Sequence, residues 1–320
     1  MKKGALCISL DFEKFWGIHD VANLKDVEQN MLKVSGVVTD LLALFNKYDI
    51  HCTWAVVGLL NFENLEALSQ TKLSNAVSYI DVNLSPLPVS KFKLDDFSFD
   101  AFLAQTEIQQ IKNTKHQELA SHTFSHFYCL EKGITKIDFK KDIDLFKQFV
   151  ATDVKSIVFP RNQIDENCLK VCAENGMTSY RGNQPNRFWK NTAYTNEKLS
   201  QKIGRTLDAY IKITKDNFSD WKTLGQKSKG MVNIPASRFF KPAKFPGFIE
   251  RLKLKRIKKQ MLESAKTNTI YHLWWHPHNF TSNTEANFKQ LETIFVYYQQ
   301  LVKDYDYQSL NMNEIAKQVD

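Results

Sequence analysis

Short apolar runs alternate with stretches of helical periodicity along nearly the whole chain, and this order restricts the fold more than any other feature. Residues 5–10 form an apolar run that ends at a carboxylate. Residues 27–48 then carry Met31, Val34, Val38, Leu41, Leu42 and Phe45 at helical spacing. A second strand is expected at 51–57, where β-branched and aromatic residues close at Gly58, and a short third at 118–121, entering a loop that contains histidines. A helix at 138–150, a strand at 156–159 stopped by Pro160, and a helix over Glu166–Glu174 ended by Gly176 continue the rhythm. Further strands are expected at 177–180, 231–234 and 269–275, separated by helical stretches. A long amphipathic helix at 285–303 leads to a last strand near Tyr307 and a short closing helix. Such alternation predicts an α/β chain with a parallel sheet under covering helices. About seven strands over this length suit a closed (β/α) barrel, one domain spanning 1–320, better than an open sheet. Residues 75–102 break the rhythm with Ser85-Pro86-Leu87-Pro88 and no clear period, and read as a loop insertion that could serve as a lid.

With 43% hydrophobic and 24% charged residues the chain has the makings of a packed core. Its 23 Phe and 6 Trp include candidate platforms for stacking on sugars. No window reaches the roughly 18 apolar residues needed to cross a bilayer. Lys2 and Lys3 precede an apolar run that stops at Asp11 without a small-residue cleavage site. It therefore reads as a first strand rather than an export signal, and the expected location is cytoplasmic. The cysteines (Cys7, Cys52, Cys129, Cys168, Cys172) are odd in number and form no CxxC pair, so buried thiols are expected in place of disulfides or zinc ligands. Net charge is +8, with a concentrated basic stretch from Arg238 to Lys259. No nucleic-acid-binding motif accompanies it, and no nucleic-acid partner is expected. A helix starting near Gly247 would instead put Phe248, Leu252 and Ile257 on one face and Lys253, Arg256 and Lys259 around the other. That pattern predicts weak, salt-sensitive contact with an anionic membrane.

Four motifs carry chemistry, and each follows a predicted strand, where α/β active sites assemble. In Ala120-Ser121-His122-Thr123-Phe124-Ser125-His126, two histidines four residues apart converge on one metal if the backbone turns helically. Asp11-Phe12-Glu13 offers two carboxylates to the same mouth; alone, it is more often a helix cap beside a solvated Glu. Together with His122 and His126 it completes a two-His, one-carboxylate set with an open position, leaving the other carboxylate to act as a base. Phe159-Pro160-Arg161-Asn162-Gln163 presents an Arg able to orient a carboxylate bidentately. In His272-Leu273-Trp274-Trp275-His276-Pro277-His278, strand alternation puts His272 and one Trp on a common face and His276 at the mouth.

In order and spacing these motifs resemble the polysaccharide deacetylase family, which includes chitin, peptidoglycan and chitooligosaccharide deacetylases. The resemblance implies a distorted (β/α) barrel of about seven strands and one divalent metal, usually zinc. It implies that Asp11 is the catalytic base and His276 the catalytic acid, and that Glu13, His122 and His126 are the metal ligands. Arg161 would hold Asp11, and a backbone N–H after the third motif would meet the oxyanion. Trp275, His278 and Asn162 are the expected substrate contacts. The chain departs from the family where Phe12 separates the two carboxylates and where Pro160 precedes Arg161 without the usual aromatic. The activity implied is metal-dependent hydrolysis of the N-acetyl group of an acetamido sugar or oligosaccharide. Without an export signal, a cytoplasmic surface-polysaccharide precursor is the favoured substrate. The competing readings are another metal-dependent amidohydrolase, a metal-free glycosidase with two carboxylates, and a sugar-binding barrel that has lost turnover.

Overall fold

The computed structural model describes residues 2–71, 79–193, 196 and 198–319. Among these residues nine strands follow in chain order: β1 (Ala5–Phe12), β2 (Cys52–Val56), β3 (Gln117–Ser121), β4 (Ser156–Ile157), β5 (Ser179–Tyr180), β6 (Val232–Asn233), β7 (Arg238–Phe239), β8 (Ile270–Trp275) and β9 (Gln308–Ser309). The helices are α1 (Leu24–Leu32), α2 (Val34–Tyr48), α3 (Leu65–Gln70), α4 (Gln105–Asn113), α5 (Lys136–Phe149), α6 (Glu166–Glu174), α7 (Leu199–Tyr210), α8 (Trp221–Leu224), α9 (Gly247–Thr267), α10 (Thr284–Tyr305) and α11 (Met312–Val319). The stretch expected as one helix at 27–48 is two, parted at Lys33.

All sheet pairings are parallel, in the order β6-β5-β4-β3-β2-β1-β8-β7, with β9 against the start of β1. β6 and β7 are two halves of one bent segment. Gly182 N donates to Ile234 O and Ala236 N to Gly182 O, after which Ser237 N donates to His272 O and Phe240 N to Trp274 O. A single stretch thus passes from the β5 edge to the β8 edge and closes the curled sheet, and the expected α/β barrel is the fold observed. β7 was not among the strands expected from the sequence.

Period-two alternation divides β1 between two cores. Leu6, Ile8, Leu10 and Phe12 point outward into the layer beneath the helices, with Trp54, Phe45 and Trp275. Ala5 and Cys7 point inward and meet Ala55, Ala120, Val158 and Val232. Small residues inside and large ones outside are what a narrow, tilted barrel accommodates. Leu310, Met312, Ile315 and Ala316 pack with Ala5 and Cys7 at its N-terminal end. All five cysteines are buried and free.

The 75–102 stretch lies partly outside the described residues at 75–78. Its described part, 79–102, carries short 3-10 turns. Instead of covering the mouth it braces the turn after β1: Trp16 Nε1 donates to Phe102 O at 2.7 Å, and Phe92 meets Phe15 and Trp16 edge-on. No residue from 79 to 102 lines the cavity described below.

α9 starts at Gly247 as expected, but its faces are not those expected. Lys253 is buried against Glu250 at 2.6 Å and donates to Lys241 O, while Arg256 is buried beside Asp208. Ile257 shares that inner face, whereas Phe248 and Leu252 lie exposed. Positions 250, 253, 257 and 260 recur at helical spacing, and Asp208 supplies the acid that lets Arg256 point inward.

Candidate active site

Odd-numbered residues of β1 face the barrel axis, so Ser9 and Asp11 point inward and Glu13 follows on the same side just past the strand end. Phe12, which separates the carboxylates in sequence, turns outward onto Trp54, with ring centroids 6.2 Å apart. The intervening residue is therefore what puts both carboxylates in one mouth. Gly17 leaves room for Glu13, since a Cβ there would lie 2.1 Å from its carboxyl carbon.

His122 and His126 follow β3. The backbone between them is not a helical turn, because Thr123 (φ 62°) and His126 (φ 55°) are left-handed. The buried carboxylate of Asp142 on α5 holds this conformation, accepting from Phe124 N at 2.6 Å and Ser125 N at 3.0 Å. Thr123 Oγ1 accepts from Phe127 N. Burial pushes Asp142 up to about 6, against the hydrogen bonds from Ser125 and Phe124 that lower it. As a result the Nε2 atoms of His122 and His126 lie 3.2 and 3.1 Å from Glu13 Oε2.

The other ring nitrogens identify what this group would hold. His122 Nδ1 faces Val158 O at 2.8 Å, an acceptor only, so in the neutral ring Nδ1 carries the proton and Nε2 a lone pair. His126 Nδ1 meets Tyr128 Oη at 3.1 Å, and Tyr128 in turn donates to Asp20. Burial drives His126 down to about 4, so it is neutral near pH 7. Two lone pairs aimed at a carboxylate oxygen call for a cation among them. Glu13, His122 and His126 thus fit a divalent ion, and their ligand atoms lie within 4.8 Å of one another.

Asp11 is paired with Arg181, which follows β5: NH1 to Oδ1 is 2.6 Å and NH2 to Oδ2 is 2.8 Å. This corrects the expectation for Arg161, which pairs with Asp20 at 2.7 Å and sits over the Tyr128 ring. Arg161 follows β4 with left-handed φ and is turned toward the β1 exit loop. Arg181 also donates to Ser9 Oγ and Asn162 Oδ1, and its guanidinium lies 4.0 Å over Trp274. Burial raises the Asp11 carboxyl, but the charges of Arg181, His122 and His276 outweigh it and hold the group below its ordinary range. Glu13 lies further below, with burial opposed by His276, His122 and His126.

His276 directly follows β8, with Nε2 3.7 Å from Asp11 Oδ2 and 3.6 Å from Glu13 Oε1, and its Nδ1 meets Asn279 Oδ1 at 3.2 Å. His278 stacks on it at 4.9 Å, and burial together with the His276 charge pushes His278 down to about 4. Asn162 lines the cavity and fixes Arg181. Ile164 N, the first N–H after the third motif, donates to Asn191 Oδ1 at 2.9 Å. Asn162 N and Gln163 N both donate within their own turn, to Phe159 O and Pro160 O.

These groups form the floor of a cavity of about 590 Å³. One wall is aromatic: Trp274 lies 4.7 Å from Phe239 and 5.5 Å from Trp189. The expectation for Trp275 is corrected by alternation, since Trp275 points outward into the core against Phe45, Phe240 and Phe280, while Trp274 shares the inner face with His272. The two tryptophans should separate on substitution. Trp275→Ala is expected to cost about 3–5 kcal/mol of stability, read as a fall in melting temperature. Trp274→Ala should raise KM with a smaller stability loss. Equal melting shifts for the two variants would contradict the assignment of faces.

No family model matches the chain, and no curated protein matches it by sequence. Solved structures do share its fold. A provisionally named polysaccharide deacetylase from Mycobacterium smegmatis aligns over 99% of this chain and 90% of its own, with TM-score 0.58 and 12% identity. The α-amylase AmyC from Thermotoga maritima aligns over 99% of this chain and 75% of its own, with TM-score 0.55 and 8% identity. A GH57-type branching enzyme from the archaeon Pyrococcus horikoshii aligns over 98% and 70%, with TM-score 0.50 and 8% identity.

Proposed function

We propose that this protein is a metal-dependent deacetylase that hydrolyses the N-acetyl group of an acetamido sugar. The observation that carries the reading is the convergence of Glu13, His122 and His126 beside Asp11 and His276, from three strand ends: both carboxylates on or after β1, both ligand histidines after β3, and His276 after β8. Zinc suits two neutral imidazoles and one carboxylate. When bound, the ion supplies Lewis acidity, lowering the pKa of water and polarising a carbonyl. Asp11 takes the proton from the attacking water as the new C–O bond forms. Arg181 keeps both Asp11 oxygens fixed. His276 Nε2 delivers a proton to the departing nitrogen, because an amine leaves from the tetrahedral carbon where an amide anion cannot. The products are acetate and a free amino sugar, and the aromatic wall of Trp274, Phe239 and Trp189 offers faces for the sugar ring.

Two of the fold relatives are glycan-processing enzymes, so cleavage of the glycosidic bond is the natural rival. A two-carboxylate glycosidase needs one carboxyl kept protonated as the general acid. Asp11 and Glu13 are both held below their ordinary range, which disfavours that role. Chelation should abolish acetate release from N-acetylated sugars, and zinc or cobalt should restore it, with no new reducing ends formed. Full activity in excess chelator, or reducing ends without acetate, would overturn the reading. A panel of nucleotide-linked, lipid-linked and oligomeric acetamido sugars then selects among substrates.

A further inference from the structure

One rim of the cavity continues into an exposed apolar surface. On α7, Leu199 (71% exposed), Ile203 (51%) and Leu207 (48%) recur every fourth residue and form an outward stripe. Thr206 and Tyr210, three and seven residues beyond Ile203 on the same side of the helix, line the cavity. Tyr210 meets Phe245 at 5.2 Å, and from there Phe248 (60% exposed) and Leu252 (48%) extend the apolar surface along α9. Scattered exposed apolar residues need no explanation, but a continuous set bordering an active-site mouth does.

The surrounding charge is one-sided. Residues 198–259 contain seventeen Lys and Arg against four acids. Three of those acids, Asp208, Asp216 and Glu250, pair with Arg256, Lys212 and Lys253. Lys244, Arg251, Lys255 and Lys259 remain exposed beside Phe248 and Leu252. At the cavity rim, burial and then the charges of Arg205 and Lys244 hold Lys241 below the ordinary lysine range. A second copy brought onto this face would set like charges against each other. An anionic bilayer complements both the apolar stripe and the cations. Among the described residues no helix is long and apolar enough to cross a membrane.

We infer that the outward faces of α7 and of the first turns of α9 dock on an anionic lipid surface, holding the cavity mouth against it. The substrate class then follows, and this part rests on the deacetylase reading: an acetamido sugar linked through phosphate to a membrane lipid, its phosphate met by Lys241 and Lys244.

The test is co-sedimentation of the full chain with phosphatidylglycerol and phosphatidylcholine vesicles at low and high salt. Binding to phosphatidylglycerol at low salt is expected, with about a fivefold loss for each cation removed, so Arg251→Glu/Lys255→Glu should release the protein. Ile203→Ser/Phe248→Ser should release it at both salt levels. Because these side chains are exposed, unchanged melting temperatures should accompany the loss. Wild-type protein remaining in the supernatant at low salt, variants that bind as wild type, or a low-salt dimer dissociated by the apolar variant would each overturn the inference. The variants should hydrolyse a soluble acetamido sugar at the wild-type rate. Absent hydrolysis in every form with vesicle binding intact would defeat the deacetylase reading and leave the docking surface standing.

Discussion

Asp11→Asn is expected to lower acetate release by about two to four orders of magnitude while leaving the metal content unchanged. An amide cannot accept the proton of the attacking water, whereas Glu13, His122 and His126 are untouched by the change. The substitution keeps the shape of the side chain and one oxygen acceptor for the Arg181 fork but removes the buried counter-charge of that guanidinium, so some stability is lost as well and turnover is compared on folded, metal-loaded protein. Glu13→Gln makes the contrast. Its carboxylate oxygen is the atom that both histidine Nε2 atoms approach, so this variant should lose metal and activity together. Metal analysis beside steady-state rates distinguishes the two. Wild-type turnover in Asp11→Asn would remove Asp11 from the mechanism, and metal loss in that variant would reassign it as a ligand.

What could be read from the chain divides along a physical line. Strand alternation and proximity in sequence made the fold and the Glu13, His122 and His126 group legible, since one strand end supplies Glu13 and one loop both histidines. Two things were hidden. Asp142 lies on α5, 17 to 18 residues along the chain from the loop atoms it holds, and nothing local marks a helix carboxylate as a loop anchor. Arg181 was also missed, although its signal was present: it directly follows the expected strand at 177–180, at the same strand-end position that singled out the other motifs. The Pro-Arg pair at 160–161 drew attention instead, because a motif is more visible than a register. The choice between Trp274 and Trp275 was legible in the same way. Trp274 shares its parity with His272 and His276, so placing His276 in the mouth already pointed to Trp274, and the register of β8 against β1, with Trp274 opposite Ser9, agrees.

Arg181→Met should cost about 3–5 kcal/mol of stability, because it leaves the buried Asp11 carboxylate without its charge partner. Arg161→Met should cost less, since that side chain retains some exposure and its partner is Asp20. The pH dependence separates positioning from packing. With Arg181 present, Asp11 titrates below its ordinary 3.8, so its contribution to stability is present above that value and lost as pH falls through the depressed native pKa. Without Arg181, the burial that raises Asp11 is less strongly opposed, and the native pKa must climb. Once it exceeds 3.8, the sign reverses: the group favours folding below that value and loses this contribution as pH rises through its new native pKa. The acid limb of the rate profile should move to higher pH in the same variant, because the base then needs a higher pH to ionise. Arg161→Met should leave that limb in place. The double change Asp11→Asn/Arg181→Met should recover part of the stability lost in Arg181→Met, as expected for partners in one buried pair. An acid limb that stays fixed in Arg181→Met, or moves equally in Arg161→Met, would show that Arg181 does not set the state of the base.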